Sequence, residues 1–247
     1  NSLGVTFRLP RYYDFQTQLV MKMPFNGVMQ AIFFLSDDRF SFTQPGDDED
    51  DEETVNAAFT TTFQQFQVKY TQPIYTGWKS VFTFGAGPER QDFIFDTNGE
   101  AYEEITSVNL RQEFSLDLQE EIGNAWKLGV DINSGVFGFS YDLPSFPYEP
   151  EKAEIAYLYP ATYAEYRRRG KYADLITGIR MDQYRLQDAN TRTAIDPRIQ
   201  SRFFLTDNLK FLASTGLTSQ APLPRERSEI NDGDPNLRPE RSWQNSF

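Results

Sequence analysis

The chain has 247 residues, with 24 Lys and Arg against 36 Asp and Glu, a formal net charge of −12. That balance argues against a nucleic-acid partner and does not favour docking on anionic lipid heads. Cys and His are both absent, which removes disulfides, thiolate and imidazole metal sites and any Ser-His-Asp relay built from these residues. Carboxylate-pair chemistry stays open in principle, but no pair stands out by spacing. The expectation is a non-enzyme without a cofactor.

No run of about 18 apolar residues exists, so a membrane-spanning helix is ruled out. The mean hydropathy of −0.59 is compatible with a membrane barrel, because half of each strand in such a barrel faces water. The opening "NSLGVTFRLP" lacks the basic start and apolar stretch of a signal peptide, so the sequence reads as a mature or internal segment.

Period-two alternation runs through almost the whole chain. Tyr13, Phe15, Thr17, Leu19, Met21 and Met23 oppose Asp14, Gln16, Gln18 and Lys22 before a turn at Pro24 to Gly27. Met29, Ala31, Phe33 and Leu35 lead out of that turn into a long polar stretch, 36–56. A strand returns with Phe59, Thr61 and Phe63, then changes phase at Gln64-Gln65 and continues with Phe66, Val68 and Tyr70. Such a slip predicts a β-bulge. Trp78, Phe82 and Phe84 follow, and 86–104 reads as another long loop.

Residues 105–119 alternate most cleanly, with Thr106, Val108, Leu110, Phe114 and Leu116 against Ser107, Asn109, Arg111, Glu113 and Ser115. A turn at Glu121 to Asn124 leads to Trp126, Leu128, Val130 and Ile132, opposed by Lys127, Asp131 and Asn133; a Pro- and aromatic-rich loop spans about 134–160. A weaker strand at 161–168 turns at Arg169-Gly170 into Ala173, Leu175, Thr177, Ile179 and Met181. After a loop at 187–196 come two alternating runs joined at Thr206-Asp207-Asn208, a loop at 218–238 and a new strand from Glu240. Links thus alternate short and long, and about eleven or twelve strands of roughly ten residues are expected, long enough to cross a hydrocarbon band of about 25 Å when tilted. Trp78, Trp126 and Tyr172 follow short turns, where an aromatic girdle belongs. The fold class is therefore all-β, an antiparallel up-and-down transmembrane β-barrel; a soluble β-sandwich binding module is the rival.

The closing stretch carries a resemblance. "DPRIQSRFFLTDNLKFLASTGLTSQAPLPRE" followed by "GDPNLRPERSWQNSF" resembles the middle of a TonB-dependent receptor barrel, an outer-membrane transporter. Pro197, Arg198, Thr206, Asp207, Asn208, Gly216, Ala221 and Pro222 stand at the family's places. The family motif continues with Pro235, Asn236, Leu237, Pro239, Glu240 and Arg241, although Asp-Pro-Asn-Leu replaces the commoner Asn-Pro-x-Leu order. The resemblance covers most of the chain in architecture, and only about 196–247 carries the specific motif.

The resemblance implies residence in a Gram-negative outer membrane, contact with its lipid, and active uptake of a scarce solute such as a siderophore, cobalamin, glycan or peptide. It implies a barrel of 22 strands with a plugged lumen, of which residues 1–247 would be a part, the plug domain and final strands lying outside this segment. Energy would arrive from TonB-ExbB-ExbD through that plug; a surface lipoprotein or another envelope partner also fits. A passive porin, or an outer-membrane scaffold for surface partners, is the alternative function.

Candidate sites follow from the same reading. Tyr141, Phe146, Tyr148, Tyr157 and Tyr159 are expected on an outer loop, where aromatics stack on a ligand or pack the loop down. Arg111, Arg180, Arg198 and Arg202 should face the lumen or a plug. Glu240 and Arg241 read as rim charges at a strand entry, and Arg167 to Lys171 as a turn cap. The run Asp47, Asp48, Asp50 and Asp51 offers hard oxygen ligands of the kind Ca²⁺ prefers, but lacks the Gly and spacing of a recognised loop; a solvated outer loop is the favoured reading.

Overall fold

The computed structural model describes residues 6–44, 55–95, 99–116, 123–142, 151–206, 208–227 and 234–246. Eleven strands follow one another in chain order: β1 (Thr6–Met23), β2 (Gly27–Gln44), β3 (Val55–Tyr75), β4 (Trp78–Phe95), β5 (Gly99–Leu116), β6 (Gly123–Asp142), β7 (Glu151–Arg169), β8 (Ala173–Leu186), β9 (Arg192–Phe204), β10 (Lys210–Gln220) and β11 (Glu240–Ser246). Each pairs antiparallel with its sequence neighbours in a single sheet of order β1 to β11. The sheet is an open meander, with β1 and β11 as its edges. Among the described residues no second sheet covers it, which removes the sandwich.

Because directly opposed residues of an antiparallel pair point to one face, the register assigns every side chain. One face takes Phe82, Phe114, Leu128, Val130 and Ile132, and across the sheet Leu175, Ile179, Ile199 and Phe203. All of these are exposed. A continuous apolar patch of this extent has to be covered by something other than water. On β6 it runs from Trp126 to Ile132 and on to Val136. At about 3.4 Å per residue and a tilt of about 40°, that run spans about 26 Å, the height of a hydrocarbon band. Within the band Gln112 donates to Ser80 Oγ at 2.7 Å, so this outward polar pair satisfies itself.

The opposite face is concave: Gln65 on β3 and Asp182 on β8 line one common recess. Among the described residues the buried apolar side chains sit on this face, and the large ones gather toward one end of the strands. Phe137, Phe139, Ala153, Ile155 and Leu186 form a cluster with Ile105, Tyr141 and Tyr157 packed against it. The pairs Phe59–Phe93 (4.8 Å) and Phe34–Phe63 (5.7 Å) extend the same interior collar over β2 to β4. At that level the outward face is polar, with Arg90 bound to Asp92 and lying over the Tyr102 ring at 4.4 Å. Amphipathicity therefore inverts along each long strand: apolar out and polar in across the band, then polar out and apolar in beyond it.

That inversion corrects three sequence expectations. The slip at Gln64-Gln65 is no β-bulge, because β2 and β3 keep unbroken register from Phe33↔Phe66 to Phe40↔Phe59. Phe66 faces out and Phe63 faces in; the apolar residues change sides while the backbone runs straight. The stretches 36–44, 86–95, 99–104, 134–142 and 151–160 are strand and not loop. The strands reach 18 to 21 residues in β1 to β5, far beyond the ten expected, so the short-and-long alternation of links flattens to 96–98 between β4 and β5.

At the tight-turn end the chain uses Pro24–Asn26, a single 3-10 turn in which Phe25 and Asn26 take positive φ of 58° and 61°. Gly170 N donates to Ala173 O at 2.8 Å to close the β7–β8 turn. Trp126 packs against Tyr166 with ring centroids 4.6 Å apart, and Tyr172 is 71% exposed, both at the end where a girdle is expected. Arg167 donates to the buried carboxylate of Asp174 at 2.7 Å, so the basic run holds the turn from inside. The turn expected at Glu121 and Ile122 lies outside the described residues.

A charge placed in the band should therefore cost more than one placed beyond it. Val130→Arg is expected to lower stability by about 2–4 kcal/mol and Ser140→Arg by about 0–1, measured by denaturant unfolding in lipid vesicles.

Candidate functional site

The concave face within the band is a wall of interlocked charges. Alternation puts Arg111 and Glu113 of β5, Asp131 of β6, Tyr163 and Glu165 of β7, Arg180 and Asp182 of β8, and Asp196 and Arg198 of β9 on this side. Arg111 Nε and Nη2 donate to the two oxygens of Asp131 at 2.6 and 3.0 Å. Arg180 Nη1 reaches the same carboxylate at 2.6 Å, and its Nε donates to Asp182 at 2.9 and 3.0 Å. Asp131 thus joins two guanidiniums from strands on either side of β7, passing over the small Ala161. Bidentate Arg–carboxylate pairs fix geometry as well as charge.

Other side chains also bridge second-neighbour strands. The Tyr163 hydroxyl crosses β6 and donates to Glu113 Oε2 at 2.8 Å. The residue it crosses is Gly129, where a Cβ would fall inside the Tyr163 ring. Arg198 crosses β8 to donate to Glu165 Oε2 at 2.6 Å, and it passes Gly178, where a Cβ would stand 3.0 Å from its Nε. Glycine here makes room for a neighbour's side chain. Asp196 accepts from Ser219 N (2.9 Å) and Ser219 Oγ (2.7 Å). Two recesses of about 450 and 780 Å³ open onto this wall, and both include Arg111, Glu113 and Arg180.

Arg111, Arg180 and Arg198, expected to face the lumen, lie on the concave wall and are ion-paired there. Arg202 shares that face, opposite Asp174 and Leu212, and is exposed. Tyr141, Tyr157 and Tyr159 belong to strands β6 and β7, not to a loop, and point inward. Tyr141 donates to Glu103 at 3.0 Å, while Tyr157, Tyr159 and Tyr184 form a ladder with centroid spacings of 4.9 and 5.4 Å. Phe146, Tyr148, Asp47, Asp48, Asp50 and Asp51 lie outside the described residues; among the described residues no cluster of carboxylates is arranged to hold a metal ion.

The closing motif forms a buckle. Asn236 N donates to Asp234 Oδ1 (2.8 Å) and Leu237 N to Asp234 O (2.9 Å), making a compact turn around Pro235. Arg192 Nη2 then donates to Asn236 O at 2.6 Å, and Asn190 Nδ2 to Asn236 Oδ1 at 2.7 Å. The segment between β10 and β11 is thereby tied to the β8–β9 link, with Pro222 buried and a short helix, α1 (Pro224–Arg227), folded against β7. Glu240 and Arg241 open β11 opposite Gln220 and Ser219, exposed. Sequence reading missed Asp131, Tyr163, Glu165 and Arg227. Alternation already placed the first on the Arg111 side, but nothing local announced which strands would meet.

Gly129→Ala should displace the Tyr163 ring and lower stability by about 1–3 kcal/mol. Combined with Tyr163→Ala, the loss should be smaller than the sum of the single changes, read from unfolding midpoints. Asp131→Ala, which leaves two guanidiniums facing each other in a half-exposed wall, should cost about 1–2 kcal/mol, and raised salt should narrow the difference.

No curated protein matches the sequence. Among solved structures, the translocator domain of the autotransporter NalP from Neisseria meningitidis is similar over 88% of this chain and 83% of that one, at 9% identity and a TM-score of 0.40. The family model described as TonB dependent receptor-like, beta-barrel, matches residues 2–247. With its whole described length in one up-and-down sheet, apolar outside and charged within, the chain belongs to the TonB-dependent receptor-like β-barrel family.

Proposed function

We propose that the chain forms wall and outer-end structure of an outer-membrane receptor in a Gram-negative envelope, importing a scarce solute at the expense of energy relayed by TonB-ExbB-ExbD. Hydrocarbon covers the outward band. The eleven strands are part of a larger barrel that a longer chain closes around a plug, and Arg111, Arg180, Arg198 and Arg202 face that plug. Tyr141, Tyr157 and Tyr159 stand where an incoming solute passes. The cargo is of the siderophore, cobalamin, glycan or peptide class, and a surface lipoprotein fits as an added partner.

The observation that carries the reading is the dry collar at the outer end of the concave face. Phe137 and Phe139 are 2% and 0% exposed there. A passive porin keeps its interior wet and polar; here the outer end of the concave face carries packed aromatics with α1 folded against β7, a lining that suits a selective receptor. Cells carrying the full-length protein should accumulate a labelled cargo from such a panel, and accumulation should fall to background when TonB is removed. Uptake that ignores TonB and the proton gradient would instead mark a passive porin, and no uptake of any class a scaffold.

A further inference from the structure

Arg227 is fully buried at the outer end, 0% exposed. Its Nη2 donates to the backbone carbonyl of Asn190, but Nε and Nη1 have no acceptor. The Tyr159 hydroxyl and Arg192 Nε are also buried without a partner. Arg227 interacts electrostatically with Tyr159, Arg192 and Asp234, so these groups form one cluster. Among the described residues the carboxylate it interacts with is Asp234, which is exposed and already accepts from Asn236 N. Burial pushes the Arg227 guanidinium below its ordinary value, with Arg192 adding to the effect.

An isolated buried cation is strongly unfavourable unless a counter-charge meets it. The neighbouring collar is aromatic and aliphatic and supplies no counter-charge. The unmet groups come from α1, β7 and β9, three separate elements brought together by the Asp234 to Leu237 buckle. Tyr159 also lines the larger recess above the charged wall.

We propose that Arg227, Tyr159 and the Arg192 Nε form a subsite for an anionic group with several acceptor oxygens, a carboxylate or a phosphate, carried by the solute. The inference rests on the receptor reading only for the carrier of the anion; the subsite itself needs neither TonB nor a plug. Asn190 and Asn236 hold Arg227 and Arg192 in place and are positioning residues.

The test uses the full-length protein in detergent, with inorganic phosphate and citrate as probes and chloride at matched ionic strength as control. Either probe should raise the unfolding midpoint in a saturable way that chloride does not reproduce. Arg227→Gln should abolish that rise. Tyr159→Phe, which keeps the ring packing, should weaken the probe's apparent affinity about ten-fold, the worth of one hydrogen bond to a charged group. A response only to phosphate or only to citrate would identify which anion the subsite takes. No saturable effect in the unaltered protein, or an equal effect in Arg227→Gln, would overturn the proposal. Anion binding without TonB-dependent uptake would remove the transport reading and leave the subsite standing.

Discussion

One boundary condition organises this molecule: each long strand passes through two solvents, and the sheet's two faces exchange environments on the way. Across the band the outward face meets hydrocarbon and the inward face meets water or polar protein. Beyond the band the outward face meets water, and the inward face closes on itself. Period-two alternation answers both halves of that condition without any break in the backbone. Val130 and Phe137 on β6 are opposite in face and equal in apolar character, and only their height along the strand explains both.

The inward wall solves a second problem. Hydrogen-bonded ladders link neighbouring strands but leave a curved sheet free to flex about each strand axis. Side chains that skip a strand restrain that flexing: Arg180 to Asp131, Tyr163 to Glu113 and Arg198 to Glu165 each tie a strand to its second neighbour. Two of the three pass over a glycine, Gly129 or Gly178, so the small residues belong to the long ones' contacts. Charges are also tolerable here because they are paired and only partly withdrawn from solvent; Arg111 and Arg198 remain 53% and 52% exposed while bound.

At the outer end the logic changes from pairing to packing. Phe139, Ile155 and Leu186 supply a small core where most of the band has none, and the segment after β10 folds onto it instead of projecting away. The family's Pro-Asn-Leu motif acts locally in that arrangement, as the turn that brings Asn236 to Asn190 and Arg192. At the buried guanidinium beside this buckle packing and charge are at odds, and the proposed anion would resolve the conflict.

By itself, the sequence determined the strand period, the all-β class, the side taken by Arg111, Arg180 and Arg198, and, through the closing motif, the family. Those properties are local: they depend on a residue's parity along a strand or on a short string of types. Only the tertiary structure decided where strands end and which distant groups meet. The stretches 134–142 and 151–160 read as loop in the sequence because their apolar residues move to the inner face, and parity cannot report a change of surroundings. The phase slip at Gln64-Gln65 misled for the same reason. Asp131 meets Arg180, and Arg227 meets Tyr159, through the register of whole strands and the path of one segment. Those are long-range facts, set by how hydrocarbon, water and a packed interior divide a single sheet among them.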